Sequence, residues 1–291
     1  MVRKVHSPNG FLQDGIVKEI ALVLGGGGAR GLAHIHVLEA FDDLGVKPAV
    51  IAGSSIGAIM GAGYAAGMSG AEIREFSLKT FGDRSEVMTR LWKLRPQSLR
   101  SMFMDSLPRF GELNAEKVLR AFLPDQVPEN FADLQIPLKV TATDFFGNSL
   151  TVIEEGLLFP AIAASAAIPA VFKPVMIHGR VHIDGGIANP VAIDLVEGPG
   201  RLVVAVDVVG MPEGDPTKFP SRIEAAFGAS QLLMQSLIHM KLKLHSPDLF
   251  IRPAVNEFRV LDFLKAAAIL ERTKATRAET RSKLERLLSA D

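Results

Sequence analysis

Gly53-Ser54-Ser55-Ile56-Gly57 is the stretch that most constrains what this chain can fold into. It follows the apolar run Ala49-Val50-Ile51-Ala52 and precedes an uncharged, helix-compatible segment, residues 56–67. A serine with glycine two positions before and two after, between a strand and a helix, is the nucleophile-elbow pattern. The turn needs backbone angles that are costly for residues with a Cβ, and the flanking glycines, Gly53 and Gly57, let neighbouring backbone approach. Such a turn lifts the Ser55 hydroxyl off the strand end. The N–H groups that open the following helix then stand behind it, ready to meet developing negative charge.

Upstream, Ile20-Ala21-Leu22-Val23-Leu24 is a continuous apolar pentad, the mark of a strand buried on both faces. It runs into Gly25-Gly26-Gly27-Gly28-Ala29-Arg30-Gly31. A helix follows, with Ala33, Val37, Ala40, Phe41 and Leu44 on one side, Gly45 placed to end it and Pro48 to prevent its continuation. The order strand, glycine loop, helix, strand, serine turn, helix predicts a right-handed βαβ opening to a parallel sheet. Residues 72–135 read as mostly helical, broken at Pro96, Pro108 and Pro124. Residues 137–143 and 149–153 form a predicted hairpin, and further strands are expected at 180–183, 201–208 and 248–251, before a helical end at 261–288 with Glu279 and Lys283 as an ion pair. With no repeat, low-complexity tract or linker, the expectation is a single domain over residues 1–291. Its motif-bearing core spans about 20–210, with a strand and helical extension over about 211–291.

Composition narrows the classes. Net charge is zero, so no overall field draws the chain to nucleic acid or to an acidic membrane, and no nucleic-acid partner is expected. There is no cysteine, which removes disulfides and a thiol nucleophile and suits a cytoplasmic setting. The first 19 residues hold no apolar h-region, so no signal peptide is expected. Residues 49–71 run 23 positions without a charge, long enough to span a membrane. Five glycines fall before Met68 and basic anchors are missing, which favours a helix packed closely on a sheet. Residues 87–104 carry Arg90, Lys93, Arg95 and Arg100 and no acid, among Leu91, Trp92, Leu94, Leu99, Met102, Phe103 and Met104. That mixture fits a mobile cap or a peripheral contact with anionic lipid, as well as a plain solvated helix pair.

The glycine loop satisfies G-x-G-x-x-G as Gly26, Gly28 and Gly31. A dinucleotide fold wants an acid at the end of the second strand, where this chain has Gly53-Ser54-Ser55. A P-loop wants Lys-Ser/Thr after the last glycine, and here Leu32 follows Gly31. Successive glycine N–H groups at a helix N-terminus also form an anion nest, able to hold a tetrahedral oxyanion beside Ser55, with Arg30 adding charge or bracing the loop. Ser55 needs a proton acceptor. The order Ser55, then Asp184 or Asp207, then His239 or His245 permits a Ser-His-Asp carboxylesterase. Asp184, at a strand end and followed by Gly185 and Gly186, could instead take the proton directly, or could be an ordinary Asp-Gly turn. His34-x-His36 and His178-x3-His182 lack accompanying carboxylates, so no metal is expected.

Four ordered motifs together resemble the patatin-like phospholipase family, most closely bacterial members similar to the catalytic part of neuropathy target esterase. They are Gly25 to His34, Gly53 to Gly57, Ala164-Ser165-Ala166-Ala167-Ile168-Pro169, and Asp184-Gly185-Gly186 with Asn189-Pro190. Thr141-Ala142-Thr143-Asp144 adds to the likeness, which covers about residues 20–210; His36 stands where such proteins often carry glycine. The resemblance implies an α/β fold of three layers, α/β/α, with a mostly parallel central sheet. It implies a serine lipid acyl hydrolase with a Ser55–Asp184 dyad, no catalytic histidine and no cofactor. Gly26, Gly27 and Gly28 would form the oxyanion hole with Arg30 beside it, and the partner would be a lipid ester or phospholipid. Residues 157–172 and the Trp92 region are the expected walls for an acyl chain.

Overall fold

Ile20, Leu22 and Leu24 enter one hydrophobic core while Ala21 and Val23 enter another, which is why the pentad tolerates no polar residue. The computed structural model describes residues 11–13, 16–94 and 113–289, with side chains from Glu19 onward. In chain order the first half comprises β1 (Phe11–Gln13), β2 (Ile16–Leu24), a 3-10 turn (Gly28–Ala33), α1 (His34–Asp43), β3 (Val50–Ser54), α2 (Ile56–Ala65), α3 (Gly70–Gly82), α4 (Arg84–Lys93) and α5 (Ala115–Phe122). Next come β4 (Leu138–Asp144), β5 (Ser149–Ile153), α6 (Leu158–Ser165), β6 (Val175–Ile177), β7 (Arg180–Asp184) and β8 (Arg201–Val206). The chain continues with α7 (Arg222–Leu244), β9 (Leu249–Ile251), α8 (Ala266–Arg272) and α9 (Ala275–Ser289).

The sheet order is β6-β7-β4-β3-β2-β8-β9, with β1 on β2 and β5 on β4. The run β4-β3-β2-β8-β9 is parallel throughout. β1, β5, β6 and β7 join antiparallel. One face is covered by α1, α2, α3, α5, α6, α8 and α9, the other by α7 with the turn around Ile193. The fold is therefore α/β in three layers, with a mostly parallel centre.

Register brings the motifs together. Leu24 pairs with Gly53 on one side and Val206 on the other, Ser54 pairs with Thr141, and Ala142 pairs with Asp184. The glycine loop, the Ser55 turn and the Asp184 turn thus leave the sheet side by side at one edge, where ligands bind in open parallel sheets.

Several expectations change. Residues 49–71 are a buried strand and helix, and no described helix is long and apolar enough to cross a membrane. Residues 72–135 are less helical than expected, because 123–137 hold only the short turn Phe131–Asp133. Of residues 87–104, only 87–94 are described, on α4, and 95–104 lie outside the described residues. The C-terminal helix is divided at Thr273, whose buried hydroxyl donates to the Ile269 carbonyl at 2.7 Å. On α9 the i,i+4 ion pair is Arg281 with Glu285 rather than Glu279 with Lys283.

Candidate active site

Ser55 sits between β3 and α2 at φ 53°, ψ −121°, an outlier for a residue with a Cβ. The glycines around it are needed for space. A Cβ on Gly57 would sit 1.9 Å from the Leu24 carbonyl oxygen, and one on Gly53 2.5 Å from the Ala58 Cα. The turn is braced from α6, since the Ser165 hydroxyl accepts the Ser55 N–H at 2.8 Å.

The Ser55 hydroxyl donates to Asp184 Oδ2 at 2.6 Å. Asp184 ends β7, is buried, and accepts the Gly186 N–H on Oδ1 at 2.8 Å. Its own backbone is held on both sides, with its N–H donating to the Ala167 carbonyl and its carbonyl accepting the Thr143 hydroxyl. Gly185 lies where a Cβ would fall 2.2 Å from the Thr141 carbonyl oxygen. Gly186 lies where one would meet Asp184 Oδ1 at 3.0 Å and Met234 Sδ at 3.3 Å. Burial pushes the Asp184 carboxyl up to about 6, against the opposing pull of the hydrogen bonds from Ser55 and Gly186. It is thus poised within reach of neutral pH as a proton acceptor.

The glycine loop faces Ser55 through Gly26, where a Cβ would come 3.4 Å from the Ser55 Cβ. The Gly26 N–H, however, donates to the Pro190 carbonyl at 3.0 Å. Among the described residues no backbone carbonyl takes the N–H of Gly27 or Gly28, which leaves those two donors of the loop available. Gly28 holds φ 61°, the left-handed region that favours glycine. Gly31 packs on α2, where a Cβ would overlap Ile56. Arg30 is buried, its Nε donates to the Gly27 carbonyl at 3.1 Å, and its Nη1 lies against Gly210. Of the two tasks expected of it, bracing the loop is the one this hydrogen bond performs. Desolvation lowers its pKa to about 10, with Asp207 and Asp262 pulling the other way.

Among the described residues no histidine is hydrogen-bonded to Ser55. His239 is exposed on α7, and His245 bonds Glu197 at 2.7 Å. Asp207 binds Arg252, Gln235 and the Val209 N–H instead of a histidine. His34 is wholly buried and bonds the Gly25 carbonyl at 2.9 Å; burial drives its pKa down to about 4, so it is a neutral donor that pins the loop. His36 bonds the Leu270 carbonyl and Arg74. His182 sits between Thr151 and the Arg180 carbonyl. Among the described residues no three His, Asp or Glu side chains gather as metal ligands.

Residues 22–196 match the family model described as patatin-like phospholipase. The chain belongs to the patatin-like phospholipase family. An uncharacterised NTE family protein of Mycobacterium tuberculosis is 36% identical over 196 residues, covering 67% of this chain and 50% of that protein. Human patatin-like phospholipase domain-containing protein 6 is 26% identical over 275 residues, covering 84% of this chain and 19% of that one. The chain spans about half the length of the mycobacterial relatives it matches. The solved structure of VipD from Legionella pneumophila aligns over 98% of this chain and 72% of its own, at 14% identity and a TM-score of 0.47.

Seen as a patatin-like chain, its Ala164 to Pro169 motif supplies the Ser165 brace and the Ala167 carbonyl that anchors Asp184. Sequence reasoning quoted that motif without giving it a task. The signal was a single hydroxyl in an otherwise alanine-rich helix end. The 157–172 segment borders the pair through α6, whereas Trp92 stands 66% exposed on α4.

Proposed function

We propose that this chain is a serine lipid acyl hydrolase of the phospholipase or lysophospholipase type, with Ser55 as nucleophile and Asp184 as its only base. Family membership supports ester hydrolysis on lipids. The 2.6 Å contact between the Ser55 hydroxyl and Asp184 Oδ2 is the observation that carries the assignment. In this reading Asp184 takes the proton as Ser55 Oγ attacks the ester carbonyl carbon. The carbonyl oxygen becomes an oxyanion between the Gly27 and Gly28 N–H groups, beside the positive end of the 3-10 turn and α1. Collapse of the tetrahedral species breaks the ester C–O bond, and Asp184 returns its proton to the departing alcohol or lysolipid oxygen. Water then attacks the acyl-serine, gives a proton to Asp184, and releases the fatty acid as that proton passes back to Ser55.

The whole described chain serves this site as one unit. β9 extends the sheet, α8 packs on the 3-10 turn and α3, and α9 packs on α1, tied by Arg277 to Asp43. Contact with the inner face of a membrane would then be peripheral.

The test is hydrolysis of p-nitrophenyl esters and of phospholipid and lysophospholipid vesicles by wild type, Ser55→Ala and Asp184→Asn. Both variants should lose at least about 1,000-fold in kcat with thermal unfolding still cooperative. A Ser55→Ala protein with full activity would sink the mechanism, and an inactive His245→Ala would restore the histidine triad.

A further inference from the structure

The inner and outer sides of α7 differ sharply. Inward, Met234 and Ile238 join the core, Gln231 donates to the Val209 carbonyl and Gln235 to Asp207 and the Gly210 carbonyl. Outward, residues 225–240 carry no acid, lysine or arginine. The exposed positions Ile223, Ala226, Ser230, Leu233, Leu237, Met240 and Leu244 follow one another at alternating spacings of three and four, the seam of a helix that packs on another helix. Leu233, Met240 and Leu244 are 68%, 61% and 79% exposed. Polar groups in the strip are already satisfied. The Ser230 hydroxyl donates to the Ala226 carbonyl and that of Ser236 to the Leu232 carbonyl, so each can be covered without loss. Monomers rarely leave a contiguous apolar strip of this length in water.

We propose that this face of α7 is a two-fold interface, on which α7 of a second copy of the chain packs antiparallel about an axis near Leu233. The sequence of the seam is self-complementary under that operation. Ile223 comes opposite the partner's Leu244, the small Ala226 opposite the partner's Met240, the small Ser230 opposite the partner's Leu237, and Leu233 opposite itself. Glu224, which would fall opposite the partner's Lys243, already pairs with Arg259, so the self-complementarity of the seam rests on the sizes of its side chains. An isologous contact requires that each half of a surface fit the other half, and a lipid surface imposes no such pattern. The seam runs about 30 Å. Phe219, fully exposed ahead of the helix, widens the patch toward the roughly 800 Å² per partner of a stable interface. The pairing does not depend on whether Ser55 is a nucleophile.

The absence of cysteine gives a clean test. Wild type should sediment at twice the monomer mass. Leu233→Cys should cross-link to a dimer with a short bismaleimide at least about tenfold faster than Phe146→Cys, because association raises the local thiol concentration. Phe146 is 81% exposed on the β4–β5 turn and serves as the surface control. Leu237→Asp should sediment as a monomer with an unchanged circular dichroism spectrum. A monomeric wild type with equal cross-linking of both cysteine variants overturns the proposal. So does a monomer that binds phosphatidylcholine–phosphatidylglycerol vesicles and loses that binding on Leu237→Asp, which would assign the face to lipid.

Discussion

Ser165 Oγ accepts the backbone N–H of Ser55 at 2.8 Å across 110 residues of sequence, and it is the contact that holds the strained serine turn in place. Positive φ at a non-glycine residue costs about 1–3 kcal/mol and persists only where neighbours impose it. Here α6 imposes it from above and the β2 backbone from below. Ser165→Ala would leave a buried N–H without a partner. It should lower unfolding free energy by about 1–3 kcal/mol in urea melts, with a larger fractional loss in kcat than in KM.

Gly57→Ala tests the floor of the same turn. With the new methyl 1.9 Å from the Leu24 carbonyl oxygen, the strand and helix must separate. The expected result is loss of more than about 3 kcal/mol of stability or failure to fold, seen as a collapsed thermal midpoint.

Asp184 links activity and stability through pH. Its folded pKa is raised from 3.8 to about 6 by burial, so the native state binds the extra proton between those values. Stability contributed by this group is therefore greatest below about pH 4 and falls as pH rises through 6, by an amount on the order of 2–3 kcal/mol. kcat/KM should rise with pH over the same range, with an apparent pKa near 6 in the free enzyme. Asp184→Asn should be inactive yet more stable than wild type at pH 8 and lose that advantage near pH 4, as followed by urea melts at each pH.

His34 acts with the opposite sign. Its folded pKa is depressed from 6.5 to about 4, so it supports the fold above pH 6.5 and withdraws that support as pH falls through 4. His34→Gln keeps a donor for the Gly25 carbonyl and removes the titration. The difference in stability between wild type and variant should shift toward the variant by roughly 2–3 kcal/mol on going from pH 7 to pH 4.

Arg30→Lys keeps a charge but replaces the planar guanidinium that donates to the Gly27 carbonyl. If that bond orients the peptide presenting the Gly28 N–H, kcat for p-nitrophenyl acetate should fall about tenfold to a hundredfold with KM little changed. An unaltered kcat would remove Arg30 from the positioning of the loop.

The parallel centre was legible because residues 20–24 of β2 and 202–206 of β8 are unbroken apolar runs. Leu22 and Val23 point into different cores, and only a doubly covered strand has that need. The Ser55 turn was legible through its glycines, which steric contact with Leu24 and Ala58 makes obligatory. What the linear chain hid were tasks set by register. That Gly26 gives its N–H to Pro190, or that Ser165 braces Ser55, depends on which loops the sheet places side by side. Helix α7 was hard to read because its outer face is as apolar as its inner one, which blurs the helical period, although the capping box of Ser221 and Glu224 marks its start.

Peptide mapping after reaction with a fluorophosphonate decides whether Ser55 is a nucleophile activated by Asp184 alone. A single phosphonylated peptide should carry the adduct on Ser55, absent in Ser55→Ala and formed at least about a hundredfold more slowly in Asp184→Asn. An adduct on another serine, or labelling of Asp184→Asn at the wild-type rate, would overturn that assignment.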